Sequence, residues 1–213
     1  MRNTRMSMVR RAGLTATAVA AALVLTACGG SSDSGSGGHD GHASASSSAS
    51  SGAAAHNAQD VAFAQGMIPH HQQALEMAKL ATGRASSAKV KDLASRIEKA
   101  QDPEIRTMSG WLKSWGRSVP SAMPGMPGMD HSAHSGMSGM MDSKDMAKLA
   151  KASGADFDTM FLTMMIEHHK GAVEMAGTEK AKGSYGPATS MADGIVTAQT
   201  AEITEMNKLL GKG

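Results

Sequence analysis

The stretch Met67-Ile68-Pro69-His70-His71-Gln72-Gln73-Ala74-Leu75-Glu76-Met77-Ala78 occurs twice in this chain. It returns as Met165-Ile166-Glu167-His168-His169-Lys170-Gly171-Ala172-Val173-Glu174-Met175-Ala176, at a constant offset of 98 residues from 67 to 165. The same offset pairs Asp60 with Asp158 and Phe63 with Phe161. It continues without a gap into the next segment, where Ile97, Ala100, Gln101, Glu104, Ile105, Met108 and Leu112 fall on Ile195, Ala198, Gln199, Glu202, Ile203, Met206 and Leu210. Amphipathic helices share apolar spacing by chance, but not a His-His pair, a Glu-Met pair and a Gln at one fixed offset. The chain therefore contains one helical hairpin unit in duplicate. A single hairpin leaves an apolar face open, and two hairpins close it into a four-helix bundle.

The surrounding periodicity supports an all-α fold. Phe63, Met67, His70, Ala74, Met77 and Ala81 recur at alternating steps of four and three, which places them on one helical stripe. Long helices are expected from Val61 to Ala81, from Ala88 to Gly116 with a kink at Asp102-Pro103, from Asp156 to Lys180, and from beyond Pro187 to Leu210. A short helix is expected over Ser143 to Ala152, and a turn over Gly183 to Pro187. β-branched residues never alternate over a useful length, so no strand is expected. The bundle domain is placed at 57–213, with repeat 1 at 57–116, a Met/His-rich loop at 117–145 and repeat 2 at 156–213.

Upstream lies an address and a tether. Arg2, Arg5, Arg10 and Arg11 precede a short apolar run from Leu14 to Ala27, too short to span a bilayer comfortably. The run ends in Leu25-Thr26-Ala27-Cys28, which resembles a bacterial lipobox. That resemblance implies a signal peptide at 1–27, lipidation of Cys28 and anchoring to the outside of the cell membrane. Arg10-Arg11 leaves the export route, general secretory or twin-arginine, open. Residues 28–56 are Ser, Gly and Ala with His39 and His42, a composition suited to a flexible tether.

Processing changes the charge and the available donors. The chain has 21 Lys+Arg against 19 Asp+Glu, and the signal carries four of the arginines and no acids. The mature chain is thus mildly acidic and has few aromatics, which argues against nucleic-acid binding. Cys28 is the single cysteine; once acylated, it removes disulfide, CxxC and thiolate-metal chemistry. Metal donors are then restricted to His, Met and carboxylate.

Adjacent helical residues point about 100° apart. His70 and His168 are therefore expected on the bundle seam, with His71 and His169 flanking it one position round. Met67 and Met77 bracket the first pair, and Met165 and Met175 the second. Mixed imidazole and thioether donors suit copper as Cu(I) or Cu(II). Zinc, which favours thiolate and carboxylate alongside imidazole, fits less well. Neither histidine pair has the Glu-x-x-His spacing of di-iron bundles. Gln101, Glu104, Gln199 and Glu202 repeat on the second helices, either orienting the imidazoles or forming a polar helix edge. The loop adds Met123, Met126, Met129, His131, His134, Met137, Met140 and Met141 in a Gly/Pro-rich setting, which points to soft-metal capture. Methionine stripes also serve as ordinary core filler.

These motifs resemble the bacterial exported family known as domain of unknown function 305. The match rests on Met165 to Met175 preceded by Asp158 and Phe161, on Met67 to Met77, and on the segments around Gln101 and Gln199. The resemblance implies a ferritin-like four-helix bundle and, from its CopM-like members, a copper role on Met67, His70, His71, Met77, Met165, His168, His169 and Met175. The copies differ at Gly66 and Gln73, where the second has Met164 and Gly171. The expected function is extracytoplasmic copper binding in buffering, sequestration or transfer, without enzymatic turnover. Its partners would be the membrane, through lipid on Cys28, and a copper transporter or other copper protein. The rival readings are a ferritin-like metal oxidase and a metal-free structural or partner-binding bundle.

Overall fold

The computed structural model describes residues 55–121 and 137–212. The signal peptide, Cys28, His39, His42, Met123, Met126, Met129, His131 and His134 lie outside them. Five helices follow in order: α1 (Ala58–Arg84), α2 (Ala88–Ser114), α3 (Ser143–Lys151), α4 (Gly154–Lys182) and α5 (Gly186–Leu209). Among the described residues the only β feature is an isolated bridge between Ala85 and Gly154. No described helix is long and apolar enough to cross a membrane.

The helix ends follow local chemistry. Asn57 caps α1 through its side-chain oxygen, and Asp60 returns a bond to the Asn57 amide at 2.6 Å, a complete capping box. Asp142 caps α3 by accepting from the Asp145 amide. Helix α5 starts at Gly186, earlier than the expected end of the turn, because Pro187 occupies its first turn, where a missing N–H costs nothing. Pro69 and Pro103 both lie inside helices. The short helix α3 also makes the 117–145 connector structured at its C-terminal edge.

Each long pair forms a hairpin, α1 with α2 and α4 with α5, and the hairpins meet chiefly through α1 and α4. These inner helices run antiparallel, since the start of α1 meets the end of α4. Asp60 accepts bonds from the amides of Ser184 and Tyr185 in the α4–α5 turn. Asp158, its repeat partner, accepts from the amides of Ser86 and Ser87 in the α1–α2 turn. Each hairpin thus satisfies the backbone of the other hairpin's turn. Burial pushes the Asp60 carboxyl upward, but the hydrogen bonds from Asn57, Tyr185 and Ser184 outweigh it and hold the pKa below its usual value.

The apolar core falls into two clusters. One contains Ala74, Met77, Ala78, Leu93, Ile97, Phe157, Phe161 and Met165. The other contains Phe63, Met67, Met108, Leu112, Ala172, Ala176 and Ile195. The dividing level on α1 is His70-His71, on α4 His168-His169, and on α2 and α5 the positions of Gln101 and Gln199. A polar stratum therefore crosses the middle of the bundle.

A candidate metal centre

The four histidines of this stratum are all fully buried. The rings of His70 and His168 meet across the α1–α4 contact, with centroids 3.7 Å apart and planes inclined by 41°. Adjacent histidines cannot share a direction on a helix, and the second of each pair turns the other way. His71 Nε2 donates to Glu104 Oε2 on α2 at 2.7 Å. His169 Nε2 donates to Glu202 Oε2 on α5, also at 2.7 Å.

His71 and His169 flank the α1–α4 seam, and they are buried there too. The inner helices are covered by their hairpin partners as well as by each other, so a second face of each is also buried. Glu104 and Glu202 do orient imidazoles. Gln101 and Gln199 are buried in the same stratum, but their side-chain oxygens have no hydrogen-bond partner.

The ring nitrogens are left without partners. Both nitrogens of His70, both of His168, and Nδ1 of His71 and His169 are buried and make no hydrogen bond. Each buried polar atom left in this state costs about 1–3 kcal/mol. Where the carboxylate takes the Nε2 proton of a neutral ring, Nδ1 carries the free lone pair. Burial pushes His70 down to about 3, with the neighbouring His71 adding to the effect and the Ser138 backbone opposing it. Burial also holds His168 well below the usual histidine value, reinforced by His70. Both facing rings are thus neutral at physiological pH and keep a lone pair available. Among the described residues, no three His, Cys, Asp or Glu side chains are already gathered as a metal cage.

The methionines lie above and below this layer. Met67 and Met77 are fully buried on α1, and Met165 on α4, while Met175 is partly exposed. Met67 packs in the cluster of Ala172 and Ala176, and Met165 in that of Ala74 and Ala78. Their sulfurs therefore belong to opposite halves of the core.

Residues 137–141 of the connector are docked in the groove between α1 and α4, over the histidine pair. Gly139, at φ +79°, lies so close to α4 that a Cβ would stand 2.7 Å from the Glu167 carbonyl oxygen and 2.9 Å from that of His168. A Cβ on Gly171 would stand 2.8 Å from the Gly139 Cα. Gln73 clamps the segment from α1: its Nε2 donates to the Met141 carbonyl and its Oε1 accepts the Met141 amide, both at 2.8 Å. Ser138 Oγ donates to Glu174 at 2.6 Å. The differences between the copies now have a cause. Gly171 makes room for the segment and Gln73 grips it. Met140 and Met141 are partly buried there, and Met141 packs on the core.

A second asymmetry lies near the α4–α5 turn, where Glu179 and Gly183 stand at the positions of Ala81 and Ala85. The Glu179 carboxyl fills the space a Cβ on residue 183 would need, with its Cδ 2.6 Å from that point. Burial, and then the adjacent Asp60, push Glu179 up to about 7. Neither oxygen of Glu179 finds a donor among the described residues. The interaction between the two carboxyls acts in opposite directions, raising Glu179 and lowering Asp60. The sequence reading missed Glu179, Gly139 and Gly171; for Glu179 and Gly171 the departure from strict repetition was the available signal.

Comparison with known proteins agrees with this architecture. The domain of unknown function DUF305 matches residues 60–210. A DUF305 protein of Streptomyces coelicolor, thought to be secreted, is 33% identical, with 72% of this chain and 91% of that one covered and a TM-score of 0.63. A DUF305 fragment from Deinococcus radiodurans is 32% identical over 74% of this chain and 98% of its own, with a TM-score of 0.62. CopM in its Cu(II)-bound form is 34% identical over 70% and 94%, with a TM-score of 0.59. CopM has also been solved with Cu(I) and with silver. No curated protein matches. The chain is a duplicated helical bundle of the DUF305 family.

Proposed function

We propose that this chain is an extracytoplasmic copper-binding lipoprotein that buffers, sequesters or transfers copper without catalytic turnover. One observation carries the reading: six of the ten partnerless buried side-chain N and O atoms among the described residues are imidazole nitrogens gathered in one layer of the bundle. A fold keeps such atoms at a cost unless something else meets them. Neutral imidazole suits copper in either oxidation state. The carboxylates on His71 and His169 match the way proteins fix ring orientation and raise basicity at metal-binding histidines. His70 and His168 would hold the ion first, with His71 and His169 beside them. CopM, a structural neighbour, is known in copper-bound forms. Secretion of the Streptomyces coelicolor relative agrees with the export signal read at 1–27. Lipid on Cys28 would keep the protein at the membrane, near a copper transporter or other copper protein.

The test is equilibrium competition for Cu(I) against a chromogenic chelator under reducing conditions. The wild-type chain should bind at least one ion through the histidines, and the His70→Ala/His168→Ala double variant should lose it. Copper at 100 times its Kd should stabilise the native state by about 2.7 kcal/mol. An affinity unchanged in the double variant would refute the histidine centre, and a melting temperature indifferent to copper would favour the metal-free bundle.

A further inference from the structure

Position 66 is one of the places where the repeats differ in bulk, glycine in one and Met164 in the other. The space left by the missing side chain is not empty. A Cβ on Gly66 would meet two sulfurs at 3.7 Å each, Met137 Sδ from the connector and Met175 Sδ from α4. Both thioethers therefore border the small volume beside the Gly66 backbone. Both residues are partly exposed, unlike Met67, Met77 and Met165. Met137 comes from the connector, and its segment is held in place by Ser138 on Glu174 and by Gln73 on Met141. Gly66 also lies one turn before His70 on the same helix.

We propose that Met137 and Met175 form an outer two-sulfur site for a soft monovalent cation, Cu(I) or Ag(I), beside Gly66, one helical turn from His70. Two neutral thioethers match the softness of these ions and offer little to Cu(II) or Zn(II). Because both side chains reach solvent, the site can load without opening the bundle. Only the first repeat has glycine at this position, where the second has Met164. The site deepens the copper reading as a point of entry and rests on that reading only for the inner destination of the ion.

The full chain, labelled with 13C at the methionine methyl groups, is titrated with silver nitrate, a redox-inert probe. The Met137 and Met175 methyl signals should move together at the first equivalent. Met137→Leu should abolish the shift of Met175, and Met175→Leu that of Met137, each weakening silver binding at this site at least tenfold. Gly66→Leu should abolish both shifts by filling the shared volume without adding a sulfur, while Met140→Leu should change neither. Independent shifts of Met137 in the Met175→Leu variant, or equal shifts with zinc, would overturn the proposal. In His70→Ala/His168→Ala the paired methyl shifts should persist. Copper binding by the imidazoles with no response from the two methyls would refute the outer site alone, and the reverse pattern would refute the histidine centre alone.

Discussion

Replacing Gly171 by alanine should do the opposite of what alanine ordinarily does in a helix. In an open helical position the change stabilises by about 0.5–1 kcal/mol, because glycine loses more backbone freedom on folding. At Gly171 the new methyl would stand 2.5 Å from the Ser138 carbonyl carbon and 2.8 Å from Gly139 Cα. Both are backbone atoms, so no side-chain rotation relieves the clash. Segment 137–141 must withdraw by about an ångström to restore ordinary contact. That movement breaks the paired bonds between Gln73 and Met141. Two such bonds are worth about 2 kcal/mol together, against a helix gain of about 1 kcal/mol. Hydrogen exchange at the Met141 amide reads the event directly, and its protection should fall about 30-fold. Gly177→Ala on the same helix is the control, since a Cβ there meets nothing within 4 Å. It should stabilise the protein and leave Met141 unchanged. If Gly171→Ala also stabilises, or if Met141 stays protected, the docked segment is not the roof of the histidine layer.

Two further outcomes follow from the carboxylates. Glu179, pushed up to about 7 from an ordinary 4.5, holds its proton more tightly folded than unfolded, so its contribution to stability is complete below pH 4.5 and is lost as pH rises through 7. Urea denaturation of wild type and Glu179→Gln across pH 4.5 to 8 should show this loss in wild type only, and parallel profiles would show that the fold does not raise the Glu179 pKa. Asp158→Ala removes the acceptor for the Ser86 and Ser87 amides and should lower stability by about 1–3 kcal/mol in the same assay, whereas a change within 0.3 kcal/mol would mean that water replaces the cap.

Much of this architecture was legible because duplication is a stronger signal than periodicity. The constant offset makes His70 equivalent to His168, and Gln101 and Glu104 equivalent to Gln199 and Glu202, while leaving open whether the equivalent imidazoles meet. Helical spacing could not show that His71 and His169 are buried too. A stripe reports one face, and α1 and α4 are each covered on two. The docked segment was hidden for a different reason. Its Gly/Pro-rich composition forbids regular structure, and residues 137–141 are ordered instead by close backbone approach and by one glutamine. Composition carries no trace of such contacts, whereas the broken repeat at Gly66, Gln73 and Gly171 does.

The reciprocal bonds of Asp60 and Asp158 make the chain a dimer in one piece. Neither hairpin holds the acceptor that its own turn requires, so each is completed only by its sister. Of the described part of the peptide joining them, residues 137–141 seat in the groove and α3 buries Leu149 in the core. The mutual caps use no residue of the connector, so substitutions of its methionines and histidines leave them in place.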